Sequence, residues 1–274
     1  MIHLSGGDPG IQAELFRHLS RMEDIVEDNQ FSANVITYRK ISSDPVTTAL
    51  SEEIIENIDN GISMLTFFGH SSAGTFDFSI EDPKEYKNAG KNPVVFSMGC
   101  HSGDIHENTE SLSEKFILEP ELGAIGFIAS SGNAYPHALA SLGLKFYEAI
   151  GTDFYGKPMG LILKDIMITE HDIIRERWDN SAMTLPFNLT FQDFTTLIEQ
   201  NTLHGDPAIT FYAADGPDFA VELSTVNTSG VVGTEDELVT LNFDVLNLGA
   251  GITSDSLENY VTHSYGDNIY RVLS

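Results

Sequence analysis

This chain of 274 residues has one cysteine, 14 basic side chains against 41 acidic ones, and no long apolar run. Each scarcity removes a class of function. With Cys100 alone, no internal disulfide can form. No stretch of about 18 apolar residues exists, so membrane insertion of a helix is not expected. A formal net charge of -27 repels nucleic acid and anionic lipid, and neither is expected as a partner. The acidic excess reads as a solvated surface that keeps the protein soluble. The opening Met1-Ile2-His3-Leu4 lacks a basic segment followed by an apolar stretch, so it carries no secretory signal pattern.

What is present belongs to a globular chain, with a hydrophobic fraction of 41% and enough length for one large or two smaller domains. A short strand is expected at His3 and Leu4. Ile11, Leu15, Leu19, Met22 and Ile25 or Val26 recur at helical spacing through residue 28. A strand over 34–38, a helix over 51–60 and a strand over 62–68 follow, then a loop to residue 90. Beyond it come a strand over 94–98, a helix over 111–118 and a strand over 124–129. Helices are expected over 138–150, 157–169 and 189–201. Strands alternating with helices imply an α/β fold, a mainly parallel sheet covered on both faces. From residue 218 the helical period disappears, and alternating apolar residues broken by Gly and Asn give an antiparallel β pattern.

Two of the apolar strands end in reactive side chains. The run 64–68 is followed by Gly69 and His70, and the run 93–98 by Gly99 and Cys100. Were these strands parallel neighbours, their ends would lie about 5 Å apart. An imidazole and a thiol would then share one crevice, as a cysteine nucleophile requires. A lone cysteine is more often a small buried side chain. Against that stands the placement of this one between Gly99 and Gly103, in a loop at the carboxyl edge of the sheet, where open α/β sheets bind ligands. Spacing alone leaves the adjacency open, because residues 76–90 would have to serve as the crossover between the two strands.

The blocks Phe-Phe-Gly-His-Ser-Ser (67–72), Pro-Val-Val-Phe-Ser-Met-Gly-Cys-His-Ser-Gly (93–103), Ser-Leu-Ser-Glu-Lys-Phe (111–116) and Gly-Ala-Ile-Gly-Phe-Ile-Ala-Ser-Ser (123–131) resemble the gingipain-type cysteine peptidases. That family has a caspase-like fold and includes the sortase of the bacterial type IX secretion system. The resemblance runs from Ile2 to Ile209 and implies a peptidase domain over residues 1–214. It also implies that residues 218–274 begin an immunoglobulin-like sandwich, which would be truncated, since a sandwich needs about 100 residues.

By the same resemblance, His70 and Cys100 are the catalytic pair, acting through a thioester acyl-enzyme. The backbone N–H groups of Ser71 and Cys100 form the oxyanion hole, and the loop containing Ser130, Ser131, Asn133 and Tyr135 lines a substrate pocket. Asp8 and Glu14 are both candidates to orient His70. Ser71 departs from the glycine usual after the histidine. His101 is expected to bond within its loop or face solvent, and His106 with Asp104 and Glu107 is too common a grouping to count as a metal site. No cofactor is required, no catalytic metal is expected, and loops such as 77–82 are candidates for structural calcium.

The resemblance further implies a protein or peptide substrate, contact with other secretion-system components, and a secreted or bacterial cell-surface location. On that account the chain is expected to be part of a longer precursor. Three functions follow: an exported endopeptidase, a sortase that passes the acyl group to an amine, or an inactive binding or adhesion module.

Overall fold

The structure, a computed structural model, describes residues 1–106, 110–179, 191–229, 240–251, 260–265 and 268–273. The chain divides into two compact units, Met1–Ala213 and Ala214–Ser274.

In the first unit, strands β1 (Ile2–Ser5), β2 (Ile36–Arg39), β3 (Met64–Phe68), β4 (Val94–Met98), β5 (Gly126–Ser130) and β6 (Asn201–Gly205) form one sheet in the order β2-β1-β3-β4-β5-β6. The first five are parallel and β6 runs antiparallel to β5. β3, β4 and β5 are buried at every residue, as expected of parallel strands covered on both faces. Alternate residues feed two cores. Phe68, Phe96, Met98 and Ile128 join apolar residues of α1 (Gln12–Asp28), α4 (Pro136–Ile150) and α5 (Met159–Asp179). Leu65, Phe67, Val95 and Phe127 face the other way, toward α2 (Thr48–Asn60) and α3 (Leu112–Leu118).

The crossover from β3 to β4 carries no α-helix. It packs through Phe76, Phe78, Ile80 and Tyr86 around a 3-10 turn at Pro83–Glu85. Those buried aromatics make it an ordered layer over the sheet. The start of α3 is set by a capping box. Ser111 Oγ accepts from the Glu114 N–H, and the Glu114 carboxylate accepts from the Ser111 N–H at 2.8 Å.

Most boundaries shift from the sequence reading by no more than three residues, and α5 and α6 differ in ways that bear on the fold. α5 continues to Asp179 instead of ending near 169, because Ile174 is still buried in that last stretch. α6 covers Phe191–Glu199, while Asn201, expected at a helix end, opens β6. Residues 189 and 190 of that expected helix lie outside the described residues. β6 itself was not anticipated, since its sequence Asn-Thr-Leu-His-Gly has only one strongly apolar residue.

The second unit contains β7 (Phe219–Val221), β8 (Asn227–Ser229), β9 (Thr240–Asn242), β10 (Val245–Asn247), β11 (Tyr260–Tyr265) and β12 (Asn268–Leu273). They pair antiparallel as β7 with β10, β8 with β9 and β11 with β12. Among the described residues these are three separate two-stranded ribbons, and the expected sandwich goes beyond them.

One polar cluster crosses the first core. His3 and Thr66 are register partners on β1 and β3, and both reach the hydroxyl of buried Tyr147 on α4, at 2.7 and 2.6 Å. His3 Nδ1 is buried with no partner among the described residues. A charged imidazole would carry a second buried N–H with nothing to accept it, and burial pushes the His3 pKa down to about 3 from an ordinary 6.5. The unfolded chain therefore takes up this proton first as pH falls. The contribution of neutral His3 is complete above about pH 6.5 and is lost toward pH 3, at about 1.4 kcal/mol per pH unit. Urea unfolding across this range is expected to show that slope, and His3→Gln to flatten it. An equally steep curve in the variant would place the acid sensitivity elsewhere.

Candidate active site

β3 and β4 pair in register, Phe68 opposite Met98. The ladder extends one step further, the Gly69 N–H donating to the Met98 carbonyl at 3.3 Å. His70 and Cys100 each follow two residues beyond the last pair, so they leave the sheet side by side. Both line one cavity of about 340 Å³. The end of β1 arrives on the other flank of β3. There the Gly6 N–H donates to the Phe68 carbonyl at 2.8 Å, and a side chain on Gly6 would collide with the Gly69 backbone. This approach brings Asp8 over the histidine.

Asp8 Oδ2 lies 2.8 Å from His70 Nε2. The other oxygen, Oδ1, accepts from the Gly10 N–H at 2.7 Å. The Gly10 amide first, and the His70 ring second, hold the Asp8 carboxyl below its usual range. Of the two carboxylates considered for this role, Glu14 points instead to His18, 3.7 Å away, although it also lines the cavity. The His70 and Asp8 side chains are 65% and 38% exposed, so solvent screens their pairing.

Cys100 is half-buried. Its Sγ lies 3.4 Å from the Ala134 N–H and 3.6 Å from the Ala134 carbonyl. Ser71 keeps an ordinary negative φ, so the departure from glycine leaves its backbone unstrained. Its hydroxyl donates to the Cys100 carbonyl at 2.7 Å. A side chain at position 99 would overlap Ser71 Oγ, which explains the glycine before the thiol. Among the described residues, neither the Ser71 nor the Cys100 backbone N–H has a protein acceptor.

Beyond the thiol, the His101 N–H donates to the Gly132 carbonyl at 2.9 Å and the Gly103 N–H to the Ser130 carbonyl at 3.0 Å. His101 bonds within this loop pair, to Asp104 at 3.2 Å and Asn133 at 3.1 Å.

The loop after β5 divides in two. Tyr135 lines the cavity, together with Ala134 and Pro136. The others support the loop: Ser130 Oγ binds the Gly132 carbonyl at 3.1 Å and Ser131 Oγ the Gln200 carbonyl at 3.3 Å, while Asn133 holds His101 and receives Gln200 Nε2 on its carbonyl.

Sequence reasoning missed Met98, His137 and the backbone of Ala134, all at the cavity. Met98 carries a signal, since a strand repeats every two residues and puts it on the same face as position 100. A backbone amide that meets a sulfur carries none.

Among the described residues no group of three or more His, Cys, Asp or Glu side chains is placed to hold a metal ion. Glu107 lies outside the described residues. In the 77–82 loop, Asp77 is paired with buried Lys40 at 2.6 Å and also receives the Gly7 N–H at 3.3 Å. Glu81 and Asp82 accept from the backbone N–H groups of Phe76 and Lys84, at 2.9 and 3.1 Å.

Comparison with known proteins places this geometry. Gingipain R2 of Porphyromonas gingivalis (strain ATCC BAA-308 / W83) is 28% identical over 123 residues, covering 40% of this chain and 16% of that protein. The crystal structure of the Arg specific cysteine proteinase gingipain R has a TM-score of 0.60 at 16% identity, covering 80% of this chain and 49% of that one. A further solved protease gives a TM-score of 0.61 at 12% identity over 100% of this chain and 67% of the other. The chain thus spans less than a fifth of the curated relative and about half of the gingipain R chain. At these identities the structural likeness shows the fold, the caspase-like α/β arrangement of gingipain. The family model for Peptidase family C25 matches residues 1–212, nearly all of the first unit, and the chain belongs to that family.

Proposed function

We propose that this chain is a cysteine endopeptidase in which Cys100 is the nucleophile and His70 the proton carrier. The supporting observation is the in-register pairing of β3 with β4, which delivers both side chains to one cavity. In the first step the Cys100 thiolate bonds to the scissile carbonyl carbon. The backbone N–H groups of Ser71 and Cys100 receive the negative charge on the oxygen. Collapse breaks the C–N bond, and imidazolium at His70 gives its proton to the leaving amine. Water then attacks the thioester, His70 takes its proton, and the acid product leaves with the thiol restored. Asp8 orients the ring through Nε2, and the Ala134 N–H stabilises the thiolate.

The family resemblance extends the same proposal to a protein or peptide substrate, a place outside the bacterial cell, and passage through the type IX secretion system. Structural calcium belongs to it only as an accessory.

Intact-mass labelling with peptidyl acyloxymethyl ketones tests the assignment. One label at Cys100 is expected, absent in Cys100→Ala and slowed roughly 10²- to 10⁴-fold in His70→Ala, the usual worth of a positioned proton carrier. Labelling no faster than in heat-unfolded protein would leave a binding module as the better reading. Transfer of the acyl group to an added amine, in preference to water, would indicate a transpeptidase.

Asp8→Asn is expected to slow labelling by only about tenfold. A pair this open to solvent couples weakly before substrate covers it. An unchanged rate would remove Asp8 from the machinery.

A further inference from the structure

We propose that the cavity beside Cys100 receives a large apolar side chain from the acyl side of the cut, so that the chain cleaves after aliphatic or aromatic residues and not after basic ones. The inference rests on the reading of Cys100 as nucleophile. It departs from gingipain R, whose description states Arg specificity.

The floor of the cavity is the surface of the main core. Leu15, Phe68, Met98 and Leu139 all line it, none is more than 3% exposed, and all belong to the apolar cluster beneath the sheet's α1 and α4 face. Ile11 and Tyr135 add further wall. A guanidinium or ammonium reaching that floor would leave water for the uncharged side chains of Leu15, Phe68, Met98 and Leu139, and an unpaired buried charge is strongly disfavoured. The carboxylate on the lining, Glu14, is 44% exposed and stands near His18. Solvent screens a carboxylate this exposed, so it offers a basic side chain little compensation for leaving water.

An apolar side chain meets none of these costs. It displaces water from apolar walls and gains about 0.8 kcal/mol per buried methylene. At about 340 Å³ the cavity is near the small end for ligand sites, roughly 300 to 1,000 Å³, which suits one large side chain better than a length of peptide. The acyl side follows from the chemistry. After the first step the residue bonded to sulfur is the acyl one, and Cys100 itself forms part of this cavity's wall.

The surface charge of -27 acts on a different quantity. It raises the encounter rate of cationic peptides over long range and is weakened by salt. Selection at the cut depends on what fits beside the thiol.

The test is a series of peptidyl acyloxymethyl ketones and matched coumarin amides differing only in the acyl-side residue. Leu, Met or Phe is expected to exceed Ala by at least tenfold in kcat/KM, and Arg and Lys by about a hundredfold, in line with the discrimination an apolar pocket provides. Ile11→Ala is expected to lower the Leu-to-Ala and Phe-to-Ala ratios severalfold. A ratio is unaffected by a fraction of misfolded enzyme, so loss of stability alone would not mimic this. Fast labelling of Cys100 with Arg or Lys preferred would overturn the inference and leave the peptidase reading intact. An apolar preference found only on the leaving side would also overturn it. Failure of every probe to label Cys100 above the unfolded rate would overturn the peptidase reading and this inference with it.

Discussion

The parallel register between β3 and β4 is the constraint on which the rest of the site depends. Phe68 faces Met98, and each strand continues by a glycine and then by its reactive residue. Strand side chains alternate with a period of two, so a slip of one residue would turn Phe68 or Met98 out of one core and drive its neighbour into it. The double burial of these strands therefore fixes the pairing, and the pairing sets His70 beside Cys100.

The loops then have to approach closely without spoiling that alignment. Gly6 meets Gly69, and Gly99 leaves room for the Ser71 hydroxyl. The peptide that follows Cys100 is held on both sides: its carbonyl accepts from Ser71 at 2.7 Å, and its N–H donates to Gly132 at 2.9 Å. His101 consequently sits at φ 56, a left-handed conformation that a non-glycine residue keeps only under such restraint. In this chain the serine at position 71 ties the histidine loop to the cysteine loop, a connection that a glycine could not make.

The alternation of strands and helices, the parallel sheet and the pair of strand ends carrying His70 and Cys100 were legible because each rests on local pattern: apolar runs, helical spacing, and glycine where the chain turns. β6 was not, since an edge strand buried on little of its surface has few apolar residues to mark it. The choice between Asp8 and Glu14 was not legible either. Both lie near the end of β1, and only the Gly6–Gly69 approach decides which carboxylate meets the ring. The loop after β5 reaches the cavity through Tyr135, while the serines and asparagine in it bond the backbone and His101. Polar side chains in a loop give no sign, in sequence, of whether they face a ligand or their own chain.

The openness of the His70–Asp8 pair and the apolar floor of the cavity can be read together. In water the pair is weakly coupled, because a high dielectric shields both partners. On the proposed reading, a peptide whose side chain fills the cavity brings its own main chain over the pair and excludes solvent from it. The same hydrogen bond then acts in a lower dielectric, where it orients the ring and stabilises imidazolium more strongly. On the proposed reading, part of the free energy of placing an apolar side chain on Leu15, Phe68, Met98 and Leu139 is expressed at the dyad, not in ground-state affinity. Substrates that leave the floor empty would bind with the dyad still wet. They would lose turnover as well as affinity, which links the shape of the cavity to the rate of the chemistry beside it.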